Sequence, residues 1–319
     1  MKSDRFKGYL FAIIGTLAFS NEYIFSKAAM NEVHMAQFGV YWFAISTVLI
    51  LLYTLRNNSL KQVRVLTKRQ VRILITLGFL EILTTTSFYL SIHIIPDPAV
   101  TSFLGSMYPV MLVLGGVLVL GEKFGPIEIV GGFLALAGAF IIGYTGETDL
   151  KKLFIPGTGV VLLNAFFATV ASLVVKVHVK KLSPELLNLN RSVWLLTFSF
   201  IMFFVYKQSF AIPLSALKNI AVGATLGPFL AILTIYYSFR YLEASKSSVV
   251  QSTKGIFVLI GAYLFFGTLP LLHQLVGGFL TVIGVLVMTL ARAGLFKKRN
   301  ELPARDEQEI TKAKKTNSK

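Results

Sequence analysis

The chain has 319 residues, of which 55% are hydrophobic and only 14% charged. So few charged groups do not cover the surface of a soluble body of that size, which points to lipid as the solvent. A formal net charge of +16 would suit nucleic acid, but the basic residues sit in alternate loops between apolar runs and not on one face, which excludes that partner.

A crossing of the hydrocarbon core needs roughly 17 to 25 mainly apolar residues. Runs of that length predict ten transmembrane helices, near Gly8–Lys27, Met35–Leu55, Val71–Ile94, Ala99–Val119, Pro126–Tyr144, Pro156–Val177, Leu186–Tyr206, Leu217–Tyr241, Ser247–Gly267 and Leu271–Arg292. The first has the basic start and apolar run of a signal peptide, but no small-residue cleavage site follows Asn21-Glu22, so it is expected to be retained. Arg5, Lys7, Arg56, Arg64, Lys68, Arg69, Arg72, Lys123, Lys180, Lys181 and Lys246 fall on one side of this arrangement, against Lys27, Lys151, Lys152, Lys207 and Lys218 on the other. By the positive-inside rule both termini are cytoplasmic, as an even number of spans requires. From about Gly294 the chain is polar and mixed in charge, and residues 294–319 are expected to form a disordered basic cytoplasmic tail.

The two halves repeat. Val130-Gly131-Gly132-Phe133 recurs as Val276-Gly277-Gly278-Phe279, and the same ungapped shift carries Ala99 onto Ser245, Gly115 onto Gly261 and Gly138 onto Gly284. Earlier segments pair in the same order, Gly8–Lys27 with Gly157–Lys176 and Met35–Trp42 with Pro184–Arg191. A repeated unit with an odd number of spans must be inverted relative to its copy. The fold expected is therefore all-α, with ten transmembrane helices in two inverted five-helix repeats at residues 6–145 and 155–292.

The pattern from Pro98-Ala99-Val100 through Pro109-Val110, then Leu120-Gly121-Glu122 and Val130-Gly131-Gly132, with Glu243-Ala244-Ser245 and Val276-Gly277-Gly278 in the second half, resembles the EamA family of the drug/metabolite transporter superfamily. That resemblance implies a ten-helix exporter of small metabolites, most often amino acids and related zwitterions, in the inner membrane. Two departures stand out: Thr253-Lys254-Gly255 replaces Met107-Tyr108-Pro109, and Gly267-Thr268 replaces Gly121-Glu122.

A charge near the bilayer centre costs roughly 2.5 to 3.5 kcal/mol on insertion scales, so such residues face a cavity or a partner. Four qualify: Glu22, Glu81, Arg191 and Lys254. Lys254 shares a small or polar stripe with Ser247, Gln251 and Gly261 at helical spacing, while Tyr108 is its repeat counterpart. It reads as a substrate or counter-ion group, or else as half of a structural salt bridge. Glu22 reads as a proton carrier or as the partner of Lys27, and Glu81 as a proton carrier or a polar lock between helices. Arg191 reads as a holder of a carboxylate at the inner gate or as a substrate contact, and its repeat counterpart Trp42 reads as a cavity wall or as an interfacial tryptophan. The candidate substrate-binding set is Lys254, Tyr108, Gln251, Trp42 and Arg191, with Glu22 and Glu81 as proton-coupling candidates. The histidines are not spaced as metal ligands or as a catalytic triad, there is no cysteine, and no nucleotide-binding loop occurs. No enzyme activity, cofactor or metal is expected. The partners expected are a small-molecule metabolite and the lipid bilayer. Protons are a candidate coupling ion, and a homodimer is a candidate assembly. An organic-cation efflux protein and an organic-anion or sugar-phosphate exchanger are the rivals within transport, and a membrane scaffold is the rival outside it.

Overall fold

The computed structural model of the protein describes residues 2–120, 125–146, 153–242, 247 and 250–292. In chain order its helices are α1 (Lys2–Met30), α2 (Met35–Arg56), α3 (Lys68–Ile94), α4 (Pro98–Leu104), α5 (Met107–Leu120), α6 (Pro126–Gly143), α7 (Thr158–His178), α8 (Pro184–Val205), α9 (Leu214–Ala224), α10 (Ile232–Tyr241), α11 (Lys254–Phe266) and α12 (Leu272–Arg292). A short 3-10 helix, Ser59–Val65, follows α2, and a wider π turn, Thr225–Ala231, joins α9 to α10. The predicted tail, the Gly121-Glu122 corner and Glu243-Ala244-Ser245 lie outside the described residues.

Among the described residues, seven helical runs are long and apolar enough to cross a membrane, with α9 to α10 counting as one run of 28 residues. The three remaining predicted spans differ for local reasons. α1 has 29 residues, but Ser20-Asn21-Glu22 interrupts its apolar run. The predicted fourth span breaks into α4 and α5 at Gly105-Ser106, and α11, with 13 residues, is preceded by a turn at Ser252-Thr253. Pro109 suits the first break, because the opening turn of a helix has no intrahelical acceptors for its N–H groups and loses nothing when one is missing. At Pro228 the same deficiency falls mid-helix. There the chain widens into the π turn, and the Asn188 amide donates to the carbonyls of Pro228 at 3.1 Å and Phe229 at 3.2 Å.

The packing exchanges under the sequence repeat. α6 lies antiparallel to α12, with Gly131 against Gly284 and Gly138 against Gly277. Gly131 and Gly277 are repeat equivalents, as are Gly138 and Gly284, so each contact becomes the other when the halves are swapped. α3 packs on α7 while α1 packs on α10, and α5 packs on α7 while α1 packs on α11, each pair being the repeat image of the other. α2 against α8 maps onto itself. The relation is a two-fold whose axis runs across the helices, because only such an axis turns one member of an antiparallel pair into the other.

Lysines cap the third helical element of each half. The Lys27 ammonium donates to the carbonyls of Ile92 at 2.8 Å, Ile95 at 3.0 Å and His93 at 3.3 Å, where α3 ends. Its repeat equivalent Lys176 donates to the carbonyls of Phe239 and Leu242, where α10 ends. A helix C-terminus carries partial negative charge and unpaired carbonyls, which is what an ammonium satisfies. The alternative that paired Lys27 with Glu22 is thereby corrected, since the backbone takes the ammonium.

The α6–α12 contact generates a test. A Cβ added at Gly131 would stand 2.5 Å from the Met288 backbone nitrogen, which has no free torsion with which to yield, whereas at Gly132 the nearest atom is the flexible Met288 sulfur at 3.9 Å. Overpacking of this kind costs about 1–3 kcal/mol, so Gly131→Ala is expected to lower the Tm in detergent by about 2–6 °C. Gly132→Ala is expected to leave it unchanged in the same thermal unfolding measurement.

Candidate functional site

Near the pseudo-two-fold the interior holds a cavity of about 110 Å³. α1 contributes Phe19, Glu22 and Tyr23, and α3 contributes Glu81, Thr84, Thr85 and Phe88. Asn164, Ala168, Ala171 and Ser172 come from α7, Arg191 from α8, and Tyr236 and Phe239 from α10. The breaks in the fourth and ninth predicted spans supply Gly105 with Tyr108, and Gln251 with Lys254. Of the seven residues singled out in the sequence, six therefore line one cavity.

Trp42 is the exception. It is fully buried outside the lining, 4.6 Å from Phe38 and 5.9 Å from Tyr89 between ring centroids, and its ring edge occupies the space that a Cβ at Gly223 would need. Trp194, the chain's other tryptophan, lies over Gly78 in the same manner. Each indole thus fills the gap left by a glycine on a helix of the opposite half, which makes Trp42 a packing residue in this arrangement.

The four charged residues on the cavity are arranged unequally. Arg191 Nε donates to Glu81 Oε2 at 2.8 Å, Arg191 Nη2 donates to Thr85 Oγ1 at 3.0 Å, and the Tyr236 hydroxyl donates to Glu81 Oε1 at 3.1 Å. Glu81 is thus satisfied at both oxygens. Glu22, 1% exposed, accepts one hydrogen bond, from the Tyr89 hydroxyl at 2.5 Å, and its Oε2 has no partner. That oxygen lies against Gly227 in the π turn, where even a methyl group would collide with it. Lys254 occupies the first residue of α11, and its ammonium sits 5.2 Å from the Phe19 ring centre and 5.5 Å from that of Tyr23. Among the described residues it makes no ion pair, and its charge is supported by these two aromatic faces and by the opposite charge of Glu22. Arg191 Nη1 also has no partner.

The two breaks put different chemistry at equivalent backbone positions. Tyr108, in the opening turn of α5, donates from its hydroxyl to Ser172 Oγ at 2.8 Å. Lys254 stands in the matching turn of α11, and Gln251, one turn before it, donates to Ser247 Oγ at 3.1 Å. The same geometry therefore carries a phenol in one half and a cation in the other.

Sequence reasoning missed Tyr89, Tyr236, Asn164 and Ser172. A signal for the two tyrosines exists in the repeat: Ser87-Phe88-Tyr89-Leu90-Ser91 lies over Thr234-Ile235-Tyr236-Tyr237-Ser238 without a gap. Each of these tyrosines donates to a buried carboxylate, Tyr89 to Glu22 and Tyr236 to Glu81. Among the described residues no group of three or more His, Cys, Asp or Glu side chains is placed to hold a metal ion.

Comparison with known proteins places this geometry in a family. A solved structure titled "Crystal structure of protein" superposes with a TM-score of 0.67 over 93% of this chain and 100% of its own length. Its sequence identity of 15% makes the likeness one of fold alone. None of the curated proteins matches the sequence. The profile of the EamA-like transporter family matches residues 6–144 and again residues 155–290. With both halves covered, the chain belongs to the EamA-like transporter family of the drug/metabolite transporter superfamily, and is a multi-pass membrane protein.

Proposed function

We propose that the protein moves small zwitterionic metabolites, amino acids or close relatives, out of the cell across the inner membrane by alternating access around the central cavity. The observation that carries this reading is the pairing of Arg191 with Glu81, which leaves one buried carboxylate, Glu22, and one buried ammonium, Lys254, on the same cavity. A zwitterion offers each of them an opposite charge and leaves the cavity neutral. Tyr108 and Gln251 supply hydroxyl and amide contacts between these ends. In this reading the chain crosses the membrane ten times as inverted units at 6–145 and 155–292, with both termini in the cytoplasm. The two-fold across the helices supports the inversion. Glu22 is the proton-coupling candidate that remains, because Glu81 is engaged as the lock between α3, α8 and α10.

Two rivals fit the cavity less well. A lipophilic cation would seek the ring faces of Phe19 and Tyr23, where Lys254 already rests. Two like charges about 5 Å apart repel by about 3 kcal/mol at an effective dielectric of 20. An organic dianion such as a sugar phosphate needs more than one uncommitted cation, and Arg191 is committed to Glu81.

Reconstituted into proteoliposomes, Lys254→Gln is expected to reduce flux of radiolabelled zwitterionic amino acids at least roughly tenfold, because a charge-assisted hydrogen bond is worth about 1.5–3 kcal/mol. Unchanged flux across an amino-acid panel would remove Lys254 from the mechanism. Glu81→Gln tests the lock by another readout. It leaves Arg191 buried without its counter-charge at a cost of about 3–5 kcal/mol, so the thermal transition in detergent should fall steeply, while the Glu81→Gln, Arg191→Met double variant should recover much of that loss.

A further inference from the structure

A second and larger cavity, about 360 Å³, opens between α2, α3 and α8 at the end of the molecule where His34, His93 and Tyr206 are exposed. Its walls are mostly apolar, with Phe38, Phe43 and Leu195 among them. Thr85 lines both this vestibule and the central cavity. Tyr89 lines the vestibule, and its hydroxyl reaches through to Glu22 on the central cavity. The partition between the two spaces is therefore Thr85 and the Tyr89 ring. Each is held from the central side by a charged residue, Thr85 by Arg191 Nη2 at 3.0 Å and Tyr89 by Glu22 Oε1 at 2.5 Å.

We infer that Thr85 and Tyr89 form a gate between the vestibule and the central cavity, closed in this structure and latched by Arg191 and Glu22. The inference rests on the transport reading, and assigns to that site a partition which the family resemblance did not indicate. The Tyr89 ring is suited to the task. It lies edge-to-face against Phe38 at 4.9 Å and Phe88 at 5.0 Å between centroids, so it is held by the rings of its neighbours and by hydroxyl contacts to Glu22 and the Trp42 indole. Rotating it away breaks neutral-donor hydroxyl contacts and no ion pair. Glu22 also faces the proposed zwitterion, so the latch is attached to a residue that the cavity's occupant would touch. Opening and occupancy then share one carboxylate. Arg191 keeps its ion pair with Glu81 whether or not Thr85 moves, so the anchor on the central side survives opening.

The absence of cysteine from the chain makes accessibility directly measurable without removing native thiols. Ala168→Cys reports on the central cavity and Met202→Cys on the vestibule. A membrane-impermeant maleimide added to vesicles from the face carrying His34 and Tyr206 is expected to modify Cys at 202 readily and Cys at 168 slowly. Adding Tyr89→Phe, which removes only the hydroxyl, should speed modification at 168 roughly tenfold while leaving the rate at 202 unchanged. Glu22→Asp, which draws the carboxylate back from Tyr89, should act in the same direction and guards against a folding defect in the first variant. Equal rates at 168 and 202 without either change would show that no partition exists, and an unaltered rate at 168 in both variants would overturn the latch. The measurement needs no substrate, so it stands or falls separately from the amino-acid flux experiment.

Discussion

The ion pair between Arg191 and Glu81 is the interaction on which the interior depends. Removing two charges from water costs several kcal/mol each even after relaxation, and lipid offers no return except through close pairing and further hydrogen bonds. Here the return comes from a 2.8 Å contact, the Tyr236 hydroxyl on the second carboxylate oxygen and Thr85 on the guanidinium. The pair also ties α8 to α3 across the two halves. Without it, Arg191 would be a second uncommitted cation beside Lys254 and Glu81 a second uncommitted carboxylate beside Glu22. Its formation is what leaves a single group of each sign for an occupant.

The helices around this pair are shaped by the same rule applied to backbone groups. In lipid every N–H and C=O must find a partner within the protein. At the end of α3 the carbonyls receive Lys27, at the end of α10 they receive Lys176, and at the Pro228 π turn they receive Asn188. Each is a polar side chain spent on the main chain. This separates Lys27 and Lys176, which cap helices, from Lys254, whose ammonium lies against ring faces and feels the charge of Glu22.

Much of this was legible in the sequence because the membrane penalises charge so heavily. Glu22, Glu81, Arg191 and Lys254 stood out by position alone, and all four line one cavity. The repeat was legible because glycines at the α6–α12 contact admit no side chain, which fixed matching residues in both halves. What was not legible depended on tertiary packing. Nothing in the residues around Trp42 indicates that a glycine on α9 opens a slot for its ring, and so it read as a cavity wall. Tyr89 and Tyr236 escaped because a tyrosine among apolar residues carries no charge to mark it, although each hydroxyl meets a carboxylate. The partner of Glu22 was sought at Lys27, five residues further along α1, because spacing within a helix is visible in sequence and the end of a distant helix is not.

The approximate two-fold then acquires a sharper meaning. Backbone features obey it: the helix breaks before α5 and α11, the lysine caps, the glycine contacts and the paired tyrosines all have partners in the other half. The charges on the cavity do not obey it, since Glu22 stands opposite Ala171, Tyr108 opposite Lys254 and Trp42 opposite Arg191. Under the proposed alternating access, two arrangements related by such an axis would be close in energy as far as packing and helix ends are concerned, because the same contacts would be made in each. The side chains that break the symmetry are therefore the ones able to favour one arrangement over the other. They are also, apart from Trp42 and its fully buried slot, residues of the central cavity. In the proposed transport cycle, a ligand touching Glu22 or Lys254 would act where the balance between the two arrangements is set, while the symmetric frame would carry the movement.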